Sequence, residues 1–523
     1  MKKYFKIAFI LMATAIFLTA CDGQKEDTTI ETVEVTEKIN IEEATEIVLS
    51  DESITVEGKS VSESYADAVY KANDIIYYEA GHDFTYGEGS EEEAHKAEEA
   101  KAHTVVHITE PGMYSVSGQL SKGQIAIDLG EEAEEDPEAV VTLVLNNVDI
   151  NCDVAPAVIF YNVYECGSKE ADEASNTVDT TKAGANVYIV DGTKNHITGS
   201  HVAKIYESYE LNEEGTEVVD SKKLHKYDAA FYSKMTMNVD GASNTTGVLN
   251  ITADNEGLDS ELHLTINGGN ITISSGNDGI NTNEDGISVT TINEGSVNIH
   301  VTGTTGEGDG IDSNGWLVIN GGTVVAEACS TSGDAGIDSD MGIHINGGRV
   351  IASGNMLDHI SESKQNYVVM NFTEGQKEGS TYTLKNEKDE VIAAVTPMNN
   401  FSYLIFSNEN MVEGNYTFWQ DDTQLAGSSG QMMGGGMMKP EDGEMPEGME
   451  PPENGEMPEG MKPPEKPTDD KKPQDGQGGF GNREEMPKGM ERPEMPERME
   501  VSKEFAILSN GNYYSNVSAV ENK

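Results

Sequence analysis

Four times between residues 262 and 348 the chain passes from a short apolar strand into an Asn-containing turn and out into a second strand. The four turns are "LHLTINGG" (262–269), a looser "VTTINEG" (289–295), "WLVINGG" (316–322) and "GIHINGG" (342–348). The strands that follow read "NITIS", "SVNIHV", "TVVAEA" and "RVIAS". Ahead of each unit lies an acidic turn: "NEGLDSEL" (255–262), "NDGINTNE" (277–284), "GDGIDSNG" (308–315) and "DAGIDSDM" (334–341). Read from Gly257, Gly279, Gly310 and Gly336, the spacing is 22, 31 and 26 residues. A repeat of this size made only of strands implies a solenoid or a propeller, and a propeller blade needs four strands in roughly 40 residues. The units are too short for a blade and lack the Leu/Asn pattern of a leucine-rich repeat. The expected fold is all-β, a parallel β-helix.

The strand texture begins near residue 104, with "TVVHI" (104–108), "VVTLVLNNVDI" (140–150) and "NVYIV" (186–190), punctuated by Gly, Asn and Asp. The solenoid is therefore expected over 104–360. A small β cap follows over 361–426. Residues 427–499, with "GEMPEGMEPPE" and "GEMPEGMKPPE" almost identical, are too rich in Pro, Glu, Gly and Met to bury a core and read as a disordered insertion. Residues 500–523 return to strand-like sequence that can pair back onto the cap. Upstream, 22–50 reads as a flexible acidic stalk. Residues 51–103 form an N-terminal capping region with one helix over 90–103, where Ser90 and Glu93 fit a capping box.

Residues 1–21 carry a basic head (Lys2, Lys3, Lys6), an apolar run too short to span a bilayer, and "LTAC". This resembles a bacterial lipoprotein signal, which implies diacylation at Cys21, an extracytoplasmic site of action and membrane attachment through lipid alone. Cys152 and Cys166 are either two thiols or the ends of a disulfide loop worth roughly 3 kcal/mol.

The chain holds 93 acidic and 34 basic residues, a formal charge of −59. That balance argues against nucleic acid, whose affinity comes mostly from Lys and Arg on phosphates, and favours cations. Aligned at glycine, the acidic turns place Leu258, Ile280, Ile311 and Ile337 at the fourth position. The fifth holds Asp259, Asn281, Asp312 and Asp338, the sixth Ser260, Thr282, Ser313 and Ser339, and the seventh Glu261, Asn283, Asn314 and Asp340. Strand alternation sends positions four and six inward, and five and seven outward together. Stacked coils bring equivalent residues about 4.8 Å apart. Two carboxylates at that spacing repel by about 0.9 kcal/mol in water and about 3.5 kcal/mol at an effective dielectric of 20. Neutral Asn281 and Asn283 interrupt the column, and a hard cation between the oxygens would neutralise the rest. The candidate Ca²⁺ ligands are Asp259, Glu261, Asp278, Asn281, Asn283, Asp309, Asp312, Asn314, Asp334, Asp338 and Asp340, oxygen donors of the kind calcium takes six to eight of. Ordinary turn chemistry is the competing explanation.

With Leu317 and Ile319 inward, Trp316 faces outward beside Asp312 and Asn314, where an indole suits stacking on a sugar ring or lies under a loop. His263 and Arg349 occupy further outward positions and complete the candidate sugar-contacting set.

"DAAFYSK" (228–234), the G-I-D-S and I-N-G-G units, and "VVTLVLNNVDI" followed by "APAVIFYN" resemble the bacterial carbohydrate-binding β-helix lipoproteins over roughly 104–360. The resemblance implies a calcium-bearing, right-handed parallel β-helix at the cell surface. It also implies non-catalytic binding of acidic, pectin-type polysaccharide or of cellulose-like glucans. A polysaccharide lyase or glycoside hydrolase is the alternative, since such enzymes use the same fold. Against a lyase, the only basic residue between 235 and 360 is Arg349; against a polygalacturonase, GHG and RIK motifs are absent. A purely structural surface adhesin is the third reading.

Overall fold

The computed structural model describes residues 40–241, 246–430, 501–508 and 510–519, which apart from Asn40 belong to one compact unit, Ile41–Lys523. The expected signal peptide with Cys21, stalk residues 22–39 and nearly all of the low-complexity segment lie outside the described residues. Within them the chain is almost entirely strand, and no helix is long and apolar enough to cross a membrane.

Three parallel ladders carry the body. The first runs through Thr104–Ile108, Gly123–Asp128, Val158–Asn162, Ala229–Ser233, Glu256–Ser260, Ile280–Thr282 and Ile311–Ser313. The second joins Thr45–Leu49, Gly112–Leu120, Val141–Asn151, Ala185–Ile189, Met237–Gly241 and His263–Ile266. It continues through Val289–Ile292, Trp316–Ile319, Gly342–Ile345 and Ile360–Ser363. The third starts at the far end of Val141–Asn151 and continues through Lys194–Gly199, Val248–Ala253, Asn270–Ser275, Ser296–Val301, Thr323–Glu327 and Arg349–Gly354. Each repeat visits the ladders in that order. In the first three of the four repeats the acidic turn itself contains a strand, a third face that a two-strand reading of the repeat missed.

Inward columns such as Leu258/Ile280/Ile311 and Ile266/Ile292/Ile319/Ile345 are fully buried. Each such side chain is worth about 1.5–3 kcal/mol in transfer from water, and one continuous core results. The position-six hydroxyls pin the corner between the first and second ladders: Ser260 donates to the carbonyl of His263 and Ser313 to that of Trp316.

The Asn-Gly turn makes the next corner. Gly322 has φ +75°, and a Cβ on Gly321 would stand 2.4 Å from the Asn293 carbonyl oxygen of the previous coil, so the two glycines serve conformation and close stacking respectively. The asparagines form a ladder of side-chain amides, with Asn346 Nδ2 donating to Asn320, Asn320 to Asn293 and Asn293 to Asn267, each at 2.8 Å. Asn293 belongs to two links and Asn346 to one. Asn293→Ala is expected to cost about 1–2 kcal/mol and Asn346→Ala about half that, measured by denaturant titration.

The ends depart from expectation in two ways. Thr45–Leu49, placed in the stalk by sequence, is a strand whose Ile47 and Leu49 are buried. The helix expected over 90–103 shrinks to the single turn Ala97–Ala100. One half of the capping box forms without it, as Ser90 N–H donates to Glu93 Oε2 at 2.7 Å, while Ser90 Oγ accepts from the Glu92 N–H. A segment polar all round has no apolar stripe to bury, and propensity alone does not hold a short helix. At the other end Phe401–Asn408 closes the third ladder antiparallel against Arg349–Gly354. A second core of Phe372, Tyr382, Phe401, Phe406, Phe418 and Phe505 fills the cap. Gly511–Ala519 pairs with both Tyr367–Gln376 and Thr423–Gly430, as the strand-like C-terminus required.

Candidate functional site

The repeat puts its oxygen-bearing side chains on the first ladder, where two columns run coil to coil. At position five, Asp259, Asn281 and Asp312 are in direct register, and Asp338 follows through its N–H to the carbonyl of Ile311. One residue before the glycine, Glu256, Asp278 and Asp309 form a second column. Asp278 Oδ1 accepts the N–H of Asp309 at 2.6 Å, and Asp309 Oδ1 accepts that of Ala335 at 2.5 Å. Sequence reasoning named Asp278 and Asp309 but missed Glu256. The signal available was its place directly before Gly257 in "NEGLDSEL".

Outward-facing did not mean exposed. Asp259 is 0% exposed, Glu256 and Asn281 7%, and Glu261 6%. Asn281 Nδ2 donates to Glu256 Oε1 and to Asn283 Oδ1, both at 3.2 Å, and Asn283 Nδ2 donates to Asp259 Oδ1 at 2.7 Å. Three oxygens of this group are left buried and without a partner: Glu256 Oε2, Asp259 Oδ2 and Asn281 Oδ1. An unpartnered buried acceptor costs about 1–3 kcal/mol and more if charged. Burial first, then neighbouring carboxylates, pushes Glu256 and Asp259 far above the usual carboxylate range. The next coils repeat the pattern: burial and mutual repulsion raise Asp309 to about 9, Asp312 and Asp338 to about 7 and Asp278 to about 6.

The donor set fits a hard cation in its chemistry, since carboxylate and amide oxygens are the ligands calcium prefers. Among the described residues, no three Asp, Glu, His or Cys side chains are arranged to hold an ion by themselves. The unpartnered amide oxygen of Asn281 adds a further oxygen donor beside the carboxylates.

Three other candidates, Glu261, Asp334 and Asn314, are already engaged. Glu261, expected as a ligand, accepts from Tyr232 OH at 2.9 Å and pairs with Lys226 Nζ at 3.3 Å, so both of its oxygens are in use. Asp334 Oδ2 caps the Gly308 N–H at 2.6 Å and also accepts from the Ser332 hydroxyl, which is ordinary turn chemistry. Asn314 binds Asp285 and the Asn283 carbonyl, and Asp340 is exposed. Cys152 and Cys166 are free thiols, the former sealed in the core.

The sugar-contacting set is more covered than expected. Residues 163–184, inserted between Val158–Asn162 and Ala185–Ile189, strap across the outer face of the second ladder. Thr180 O accepts from Asn238, Thr180 Oγ1 bonds Thr265 at 2.9 Å, and Asn176 reaches His344. Consequently His263 is 3% exposed and Val318 buried, with Trp316 half-buried. Arg349, expected to point into solvent, donates to the Ala394 carbonyl of the cap at 2.9 Å.

A family model described as "Carbohydrate-binding domain-containing protein" matches residues 102–396. A "Carbohydrate-binding domain-containing protein" of Acetivibrio thermocellus is 30% identical over 167 residues, 32% of this chain. The chain spans 43% of that relative's length. A solved structure titled "Structure of the polysaccharide lyase-like protein from C. thermocellum, Gadolinium derivative" aligns with a TM-score of 0.34 at 19% identity, over 61% of this chain and 93% of that one. So distant a likeness assigns neither fold nor chemistry.

Proposed function

The chain belongs to the carbohydrate-binding domain-containing protein family, and from that premise we propose that it holds extracellular polysaccharide without cleaving it, on an acidic face whose carboxylates are bridged by calcium. In this reading the three ladders are the faces of one right-handed parallel β-helix, and Cys21 carries the lipid that tethers it to the outside of a bacterial cell. The observation that carries the proposal is the group of orphaned oxygens on Glu256, Asp259 and Asn281. These residues, with Asp312 and Asp338 on later coils, would hold the ion. Bound calcium supplies positive charge to which the carboxylates of a pectin-type chain can also coordinate. The chain's own part is to keep those oxygens in register and out of water.

Turnover is the second reading, and side-chain pairing favours binding over it. Lysines absent from the 235–360 stretch do reach this face, but each is committed: Lys204 to Asp228 at 3.4 Å, Lys226 to Glu261 at 3.3 Å and Lys234 to Glu134 at 2.6 Å. An ion-paired ammonium is a poor general base. Pull-down on polygalacturonate and on cellulose, with calcium and with EDTA, tests the proposal. Calcium-dependent retention with no unsaturated or reducing ends released is the expected result. Product release would instead make the protein an enzyme, and no retention would leave an adhesin. The ion's share is checked separately: Asp312→Ala with Asp338→Ala should lower the melting temperature far more in calcium than in EDTA.

A further inference from the structure

Beneath the strap lies a cavity of about 220 Å³, lined by Cys166, Ser168, Glu173, Val178, Asp179, His263 and Ile287 among others. At roughly 30 Å³ per water it holds about seven waters' worth of liquid, the scale of one sugar ring. His263 reaches it from the second ladder with its protonation fixed. The Val289 N–H donates to His263 Nδ1 at 3.1 Å, which leaves the proton on Nε2, and Nε2 has no protein partner among the described residues. A Cβ at Gly167 would stand 2.9 Å from Nε2, so glycine keeps the strap wall off that donor.

We propose that this cavity is a binding subsite for a single neutral hexose, separate from the acidic columns. A ring hydroxyl accepts from His263 Nε2–H, others donate to Glu173 and Asp179, and the apolar ring face lies on Ile287 and Val178. Charge selects a neutral sugar over a uronate. Glu173 and Asp179 stand at the walls, the Thr181 hydroxyl and N–H hold Asp179 below the usual carboxylate range, and the nearby Lys169 is paired with Glu284. The strap is anchored at Asn176 and Thr180, so the wall exists before the sugar arrives, which reduces the ordering cost of binding.

The subsite rests on the carbohydrate reading but needs no cation. The test is NMR titration of the full chain with D-glucose and D-galactose, in calcium and in EDTA, following the His263 imidazole. Ala174, a half-buried strap residue, also lines the cavity, so Ala174→Trp fills it without touching the core. Saturable binding that moves the His263 Nε2 resonance equally in both buffers is expected, weakened about tenfold or more by Ala174→Trp at unchanged melting temperature. No imidazole shift with either sugar, or unchanged affinity in Ala174→Trp, overturns the proposal. Because polymer retention on the acidic face requires calcium and this binding does not, the two readings fail independently.

Discussion

In EDTA, raising the pH from about 5 to about 8 is expected to lower the melting temperature by roughly 5–10 °C, and saturating calcium to abolish that loss. The sign follows from the raised carboxyls. Asp278, Asp309, Asp312 and Asp338 titrate at about 6, 9, 7 and 7 in the folded chain, against about 3.9 for an unfolded Asp. Between the unfolded and folded values the native state holds more protons than the unfolded state, so stability falls as pH rises through that window. The groups interact, so their shifts do not add, and the combined loss is roughly 3–6 kcal/mol. Calcium bound as proposed would take the protons' place and reverse the trend, so that the calcium-loaded protein would be destabilised at low pH, where its ligands protonate. Melting curves at both pH values, with and without calcium, decide the matter. A flat pH dependence in EDTA would mean that the carboxylates are solvated rather than stacked.

The second large effect concerns the orphaned oxygens. Glu256→Gln with Asp259→Asn keeps shape and removes both charges. Because the wild-type groups are buried far above their ordinary range, the double variant at about pH 8 in EDTA is expected to be at least as stable as the wild type. In calcium the order inverts: the variant loses the calcium-induced rise in melting temperature. Affinity falls at least about a hundredfold, since ligand charge count sets calcium binding. Calorimetric titration reads the affinity and thermal melts the stability. Full retention of calcium stabilisation by the variant would move the ion elsewhere on the ladder or out of the account.

The sequence showed the repeat clearly, and the register confirmed what strand alternation implied about it. Asp259, Asn281 and Asp312 line up because Leu258, Ile280 and Ile311 must all face the core. Exposure was not legible. His263 and Trp316 do face away from the core, but the strap at 163–184 has no periodicity and lands on the ladder through contacts distant in sequence, such as Asn176 with His344. Glu256 escaped notice although Asp278 and Asp309 hold the same place, one residue before the turn glycine, in the next two repeats. Only stacking against Asp278 and burial beside Asp259 give it chemistry. The disulfide question fell the same way: spacing allowed a loop, while the fold sends Cys152 into the core and Cys166 onto the strap wall.

In the proposed site, stacked coils would bring the side chains of Glu256, Asp259 and Asn281 together around a divalent ion. Diffraction from calcium-soaked crystals, collected for anomalous signal, tests it most directly. The predicted result is a calcium peak shared by those three side chains. Protonated carboxyls at Glu256 and Asp259 with no ion between them, in a protein that still retains polygalacturonate, would contradict it.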